Sequence, residues 1–336
     1  MRSLGRVRFS ILGAGFLGTA LAQRLVGSAE GVSLIGRNAS LLASGMPGVR
    51  CVNANLEEAA PNSDIYDADV VFWTAGVAGV GSAERNPFED LAANMAPFLH
   101  TLQNIGSRHV KPRVVFPSSQ LVYPGGRTAA SERTKPSPRN VHGMHRVLAE
   151  MYLAHFGRLD HIPWSILRIA SVYGPGYGAA PSHGFINLWV DQALRERKIR
   201  VFGAGQQLRD AVYVDDALDA MVMAATSDLA PSRTFNVGSG QPQRVLDIAR
   251  LVSASCPFEV DVVQEPWPAD AERGEPEDIE MAVGLAARLL RWRSKVSLQD
   301  GIALTVHSRE VTRPVIPSGR QTHIMRPVSR TKEPAL

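Results

Sequence analysis

The chain has 336 residues, 45% of them hydrophobic and 20% charged, with a formal net charge of +4 at pH 7. That length supports one large domain or two modest ones around a substantial core, and the small charge, without zinc-finger or homeodomain spacing, argues against a nucleic-acid partner. Two widely separated cysteines, Cys51 and Cys256, exclude a disulfide framework and offer no metal cluster, so a reducing cytoplasm and no metal are expected.

The opening MRSLGRVRFSILGAGFLGTALA sets arginines ahead of an apolar run, as a signal peptide does, but its glycines mark it as a first strand entering a tight turn. RVRFSILGAG reads as that strand and LGTALAQRLVGS as a helix closed by Gly27. VSLIGR, VRCVNA, ADVVFWTAG and PRVVFPSS read as the second to fifth strands. Nearly continuous apolar strands separated by helices predict a parallel sheet covered on both faces, a Rossmann-type doubly wound α/β fold. VVFWTAGVAGVG, a further apolar run, is too short to span a bilayer, so no membrane partner is expected.

Gly13, Gly15 and Gly18 have the G-x-G-x-x-G spacing between a strand and a helix. Gly13 permits the tight turn, Gly15 lets backbone approach a pyrophosphate and Gly18 allows close helix–strand packing. The second strand ends in Gly36 and Arg37, with no acid before Glu57. A carboxylate there accepts from the 2′-hydroxyl of NAD, whereas a guanidinium matches a 2′-phosphate. NADP is therefore favoured over NAD, the alternative being a surface arginine after a loop glycine.

KPSPRNVHGMHRVLAE, from Lys135 to Glu150, opens as a Pro-rich loop and closes as an amphipathic helix. Met144, Val147, Leu148 and Met151 are its expected buried stripe, and His142 and Arg146 share another face. From about Ser171 the pattern loosens among Gly and Pro; FINLWVDQALRER reads as a helix and IRVFG as a strand, before AVYVDDALDAMVMAA. The expected division is a dinucleotide-binding domain over residues 1–170 and a smaller α+β substrate-binding region over 171–308, some of whose elements return to the sheet. Residues 309–336, with Arg313, Arg320, Arg326, Arg330 and Lys332 among prolines, are expected to be a disordered tail. Asp215 and Asp216 look like a metal pair but are expected to start a helix.

Several segments carry a resemblance together. GAGFLG is similar to a family glycine turn, although Leu12 stands where the first family glycine falls; DADVVFWTAG ends in the small pair Ala75 and Gly76, and Asn94 follows in the next helix. VVFPSSQLVYPGG, ILRIASVYGPG, RDAVYVDDAL, FNVGSG and LLRWRSKVSLQDGI match later signatures in the right order. From about Arg8 to His307 the chain resembles the extended short-chain dehydrogenase/reductase family, in particular its nucleotide-sugar epimerases and dehydratases. The resemblance implies hydride transfer between a sugar carbon and a nicotinamide ring, and it implies a nucleotide-linked sugar as substrate. It assigns Gly13, Gly15, Phe16, Leu17, Gly18, Arg37, Asn55, Leu56, Ala75, Gly76, Asn94 and Arg146 to the cofactor. Ser119, Ser171, Arg209 and Arg273 go to the substrate, with surface ion pairing to Asp210 and Glu275 as the other reading of the two arginines. A homodimer is compatible with it.

The catalytic Tyr and Lys of that family fall here on His142 and Arg146, with Ser119 as the hydroxyl partner. Imidazole titrates at about 6.5, so it is a neutral base near pH 7 without assistance, and a neighbouring guanidinium favours that neutral form. Arg146 keeps a permanent cation but is not equivalent to Lys in a tight site. Two readings stand: an epimerase or reductase with Ser119, His142 and Arg146 as its catalytic set, or a catalytically silent nucleotide-sugar binder. His145 reads as exposed or structural. Gln120 and Leu121 stand where dehydratases of the family carry Asp and Glu, which favours epimerisation or reduction over dehydration.

Overall fold

The computed structural model describes residues 3–126, 128–176, 184–267 and 278–311. Strand β1 (Arg8–Leu12) leads through the glycine turn into helix α1 (Phe16–Leu25); β2 (Gly31–Gly36), the short α2 (Ala39–Leu42), β3 (Val49–Asn53) and β4 (Val70–Trp73) follow. Helices α3 (Val80–Arg85) and α4 (Pro87–Gly106) precede β5 (Arg113–Ser119), and α5 (Val141–Leu159) precedes β6 (Trp164–Ile169). Beyond these come β7 (Ser171–Tyr173), α6 (Phe185–Glu196), β8 (Lys198–Phe202), β9 (Leu208–Arg209), β10 (Ala211–Tyr213) and α7 (Val214–Thr226). The chain continues through β11 (Arg233–Val237), β12 (Gln243–Arg244), α8 (Val245–Ala254), β13 (Asp261–Glu265), α9 (Gly284–Leu289) and α10 (Leu298–Val311). The expectations for Arg273 and for the tail beyond residue 311 lie outside the described residues.

Seven strands form one sheet in the order β11-β6-β5-β4-β1-β2-β3, and every pairing in it is parallel. Strand alternation sorts the core into two faces. Phe9, Ile11, Phe72, Val115 and Leu167 join a cluster with the helical residues Leu21 and Ala217, whereas Leu12, Val71, Trp73, Val114 and Phe116 meet Phe98, Leu102 and Leu153 of α4 and α5. Apolar residues on both sides of each strand require helices on both faces, which is the Rossmann-type doubly wound architecture. The order reverses between β1 and β4, and the crevice at such a reversal is where ligands bind in open α/β sheets.

Among the described residues, the second half of the chain packs into this same core. Trp189, Val201, Ile248 and Val306 belong to the same cluster as Phe9 and Ile11, and β11 pairs with β6 in the main sheet. Asp216, in the first turn of α7, is buried and accepts from Ser294 Oγ (2.9 Å) and from the amides of Lys295 (2.8 Å) and Val296 (2.9 Å). It fastens the closing segment to α7.

One expectation about α5 is overturned. Met144 and Met151 are exposed, at 51% and 64%, and Val147 and Leu148 are only partly buried. The buried face is instead His142, Gly143, Ala149, Glu150 and Leu153, a helical spacing that includes two polar residues. Glu150 tolerates burial because it is fully engaged: Ser118 Oγ donates to it at 2.5 Å and Arg168 grips both oxygens, with Nη2 at 2.7 Å. Hydropathy alone turned the helix the wrong way.

Candidate active site

After Leu12 the chain turns at Gly13, whose φ of 119° and close approach to the Ala75 backbone both require glycine. A Cβ on Gly18 overlaps the Gly13 carbonyl oxygen, so helix α1 packs directly on the turn. Gly15 is different. Its φ is −80°, and nothing lies within 4 Å of a Cβ built there. Gly15 is the N-cap of α1, so the first amides of that helix face the open side with the positive end of the helix dipole. Phe16 and Leu17 send their side chains into or against the core and offer only backbone to that side.

A cavity of about 560 Å³ lies there, and its wall brings together Gly13, Gly15, Arg37, Asn55, Leu56, Ala75 and Gly76. Arg37 is exposed at its rim. Asn94 is not part of the wall: its Oδ1 accepts from the Val77 amide at 3.2 Å and its Nδ2 donates to the Asp90 carbonyl at 2.9 Å, so it braces the Gly76–Val77 loop from behind. Gly18 lies behind the wall too, and Arg146 is on α5, with its guanidinium 5.8 Å from the centre of the Phe116 ring.

A second cavity of about 510 Å³ is walled by Ser119, Gln120, His142, Ser171 and Arg209, together with the aromatic side chains of Phe185, Trp189, Phe202 and Trp267. The loop after β4 serves both cavities: Thr74 to Val77 line the first, and Ala78 to Val80 line the second. Ser119 ends β5 and its Oγ accepts from the Leu121 amide at 3.2 Å. Gln120 is buried and its Nε2 donates to Ser171 Oγ at 3.1 Å across the cavity floor. Arg209 is buried and donates to the Leu208 carbonyl, while the neighbouring Asp210 carboxylate is turned to Ser239 and to the Gly240 amide at 3.0 Å.

Helix α5 presents His142 to this cavity because Asn140 caps it, accepting from the Gly143 amide at 2.7 Å, and Glu84 accepts from the Val141 amide at 2.7 Å. One turn on, Arg146 Nε donates to His142 Nε2 at 3.4 Å. A guanidinium only donates, so Nε2 is the acceptor and the proton of the neutral ring sits on Nδ1. Nδ1 is buried without a hydrogen bond and faces Asp90 Oδ2 at 4.0 Å. The other Asp90 oxygen is bound by His145 Nδ1 at 2.5 Å. Burial lowers the His142 pKa below the usual histidine value; Asp90 opposes this, while Arg146 and His145 add to it. Burial of Asp90 opposes its ionisation, but the two imidazoles outweigh it and hold its carboxyl below the usual range.

Asp90 was invisible to the sequence reading. The one available signal was its place four residues before Asn94, which puts both on one face of α4. His145, read as exposed or structural, is the partner that fixes Asp90.

The model of the NAD dependent epimerase/dehydratase family matches residues 10–238, from β1 through β11. The chain belongs to this family. A Bacillus subtilis (strain 168) protein named as an uncharacterized UDP-glucose epimerase, YtcB, is 28% identical over 257 residues, covering 75% of this chain and 77% of that one. The UDP-glucose 4-epimerase of Mycolicibacterium smegmatis is 27% identical over 312 residues, covering 87% and 95%. The crystal structure of UDP-glucose 4-epimerase from Thermotoga maritima with UDP-glucose superposes with a TM-score of 0.79 at 26% identity, covering 91% of this chain and 99% of that one. Members of the family are NAD-dependent epimerases and dehydratases, and this chain is an enzyme of that type. Among the described residues no helix is long and apolar enough to cross a membrane.

Proposed function

We propose that this enzyme epimerises or reduces a nucleotide-linked sugar, with His142 as the acid and base, Ser119 as its hydroxyl partner and Arg146 as the adjoining cation. The observation that carries this reading is that Ser119, His142, Ser171 and Arg209 wall one cavity, and that this cavity shares the loop after β4 with the glycine-turn cavity. The open side of Gly15, the α1 amides and the absence of side chains at Gly13 and Gly76 fit a dinucleotide there. Bound in that cavity, a nicotinamide dinucleotide supplies the acceptor and donor of hydride.

The chain supplies the rest. Once the sugar hydroxyl displaces Arg146 Nε from its 3.4 Å contact, His142 Nε2 takes the hydroxyl proton, and Ser119 Oγ holds the same oxygen. Burial first, and then the fixed charge of Arg146, keep the imidazole neutral and ready to accept. Arg209 offers a guanidinium to the diphosphate of the substrate. Gln120 and Leu121 carry no carboxylate, and none lines the cavity among the described residues, which favours epimerisation or reduction over eliminating water. The relatives whose names specify UDP-glucose make a UDP-hexose the first substrate to try. At the other cavity, Arg37 follows β2 with no acid between it and Glu57 in the sequence, which favours NADP over NAD.

The test is recovery of bound nicotinamide from the purified protein, followed by turnover of UDP-sugars. His142→Ala should lower kcat by about a hundredfold or more while leaving nicotinamide affinity nearly unchanged. His142→Tyr with Arg146→Lys should retain or raise turnover. Normal turnover by His142→Ala refutes His142 as the base. A parent inert on every nucleotide sugar, beside an active double variant, refutes the working pair.

A further inference from the structure

We propose that Asp90 is a positioning residue for this reaction: His145 holds one of its carboxylate oxygens, and the other faces His142 Nδ1 and fixes which imidazole nitrogen takes the substrate proton. The inference rests on His142 as the base, and it adds a residue from α4 to a set otherwise drawn from β5 and α5.

The geometry is specific. Asp90 and His142 are 4% and 6% exposed, so their facing charges are little screened. A carboxylate has two acceptor oxygens in one plane, and here each is addressed by a different imidazole: His145 at 2.5 Å and His142 at 4.0 Å. The shorter contact anchors the carboxylate. The longer one closes to hydrogen-bond length with a shift of about 1 Å in the His142 ring. His142 Nδ1 is a buried polar atom without a partner, and Asp90 Oδ2 is the acceptor that faces it. Arg146 has already claimed Nε2 as an acceptor, so the donor must be Nδ1.

The consequence is chemical. The sugar hydroxyl must first displace Arg146 Nε from the single Nε2 lone pair; when its O–H bond then breaks and its proton forms a bond to Nε2, the imidazole becomes a cation with an N–H on each nitrogen. The groups that face it are then Asp90 from α4, with Arg146 and His145 from its own helix; Glu84 of α3 is turned to the Val141 amide. Arg146 repels the new charge and Asp90 offsets it. Without Asp90, the proton would be accepted beside a guanidinium with no carboxylate opposite. His145 acts at one remove, by keeping Asp90 in place and ionised.

The experiment reads the histidine before it reads turnover. In 15N-histidine NMR of the full chain, wild-type His142 should be the Nδ1–H tautomer at neutral pH. In Asp90→Asn its titration should move to lower pH, because the group that favours the imidazolium has lost its charge. The acid limb of the kcat profile on UDP-glucose should move the same way, with kcat lower by about 10- to 100-fold. Asp90→Glu keeps the charge and should recover part of both, which guards against a variant that simply folds poorly. A wild-type His142 protonated on Nε2 overturns the proposal. So does an Asp90→Asn protein whose loss is equal at all pH and whose His142 titration is unmoved, since that is a structural role. Normal turnover by His142→Ala sinks the base reading instead, and the NMR titration, which needs no turnover, tells the two failures apart.

Discussion

The two cavities that share the loop after β4 are made of different material. Around Gly15 the wall is glycines, helix amides and the small residues after β4, completed by Arg37, Asn55, Glu57 and Glu89. Around His142 it is side chain, contributed by β5, α5 and the second half of the chain, with Asp90 of α4 behind it. A backbone site is defined by what cannot fit, since a Cβ at Gly13 or Gly18 collides with main chain. A side-chain site is defined by which groups find partners. That is why the second site depends on where its partners lie, while the first depends on the glycines at Gly13 and Gly18.

The sharpest test of the side-chain half removes its frame. Glu150 ties α5 to β5 through Ser118 and to β6 through Arg168, whose Nη1 continues at 3.1 Å to Tyr123 Oη. Glu150→Gln leaves the Arg168 cation buried against a neutral amide, and breaking such a pair costs about 3–5 kcal/mol. Denaturant unfolding should show that loss. Because α5 also carries His142, turnover should fall further than nicotinamide affinity does. Equal losses of both would show that the two cavities are one unit.

The backbone half separates by glycine. Gly18→Ala places a methyl on the Gly13 carbonyl, which the main chain can relieve only by moving, at about 3 kcal/mol. Gly15→Val should lower the melting temperature only slightly, by the cost of a poorer N-cap, because its φ is ordinary and its Cβ meets nothing, yet it should abolish nicotinamide binding. Calorimetry with NADPH and NADH checks it. A Gly15→Val protein that binds as the parent does removes the cofactor from this cavity.

The same division explains what could be read in advance. The strands of the first half and the glycine turn were legible because apolar runs and glycine spacing are local signals, whereas Ser119, Ser171, Arg209 and His142, which line one cavity, were named only from the resemblance. The facing of α5 was not. Met144 and Met151 are apolar but exposed, while Glu150 and His142 are polar but buried, and only partners distant in sequence, at Ser118, Arg168 and Asp90, decide that. Asn94 was placed in the cofactor set from resemblance, whereas its side chain braces the loop behind the wall. The positions of Asp90 and His145 depend on how α4 packs on α5, which no local pattern records.

A smaller effect sharpens the glycine-turn cavity at Arg37. Arg37→Ala should reduce the preference for NADPH over NADH by about tenfold, the scale of one charge-assisted contact. A parent that prefers NADH removes that role from Arg37 and leaves the rest of the cavity as described.

The smallest expected effect is on stability, and it belongs to the side-chain cavity alone. His142 is depressed in the folded chain, first by burial and then by Arg146 and His145 against the pull of Asp90. Between the folded value and the unfolded value of about 6.5, the unfolded chain therefore binds more protons than the folded one, and stability falls as pH falls through that window. Asp90 is also depressed, so its contribution is present above the unfolded aspartate value of about 3.9 and is lost only below it, which keeps the two windows apart. Melting temperatures of the parent and of His142→Gln, compared from about pH 7.5 down to about pH 5.5, isolate the imidazole. The parent should lose more than the variant over that interval. If the two curves run parallel, His142 is not held neutral by its surroundings, and the case for it as a ready base at neutral pH falls with that result.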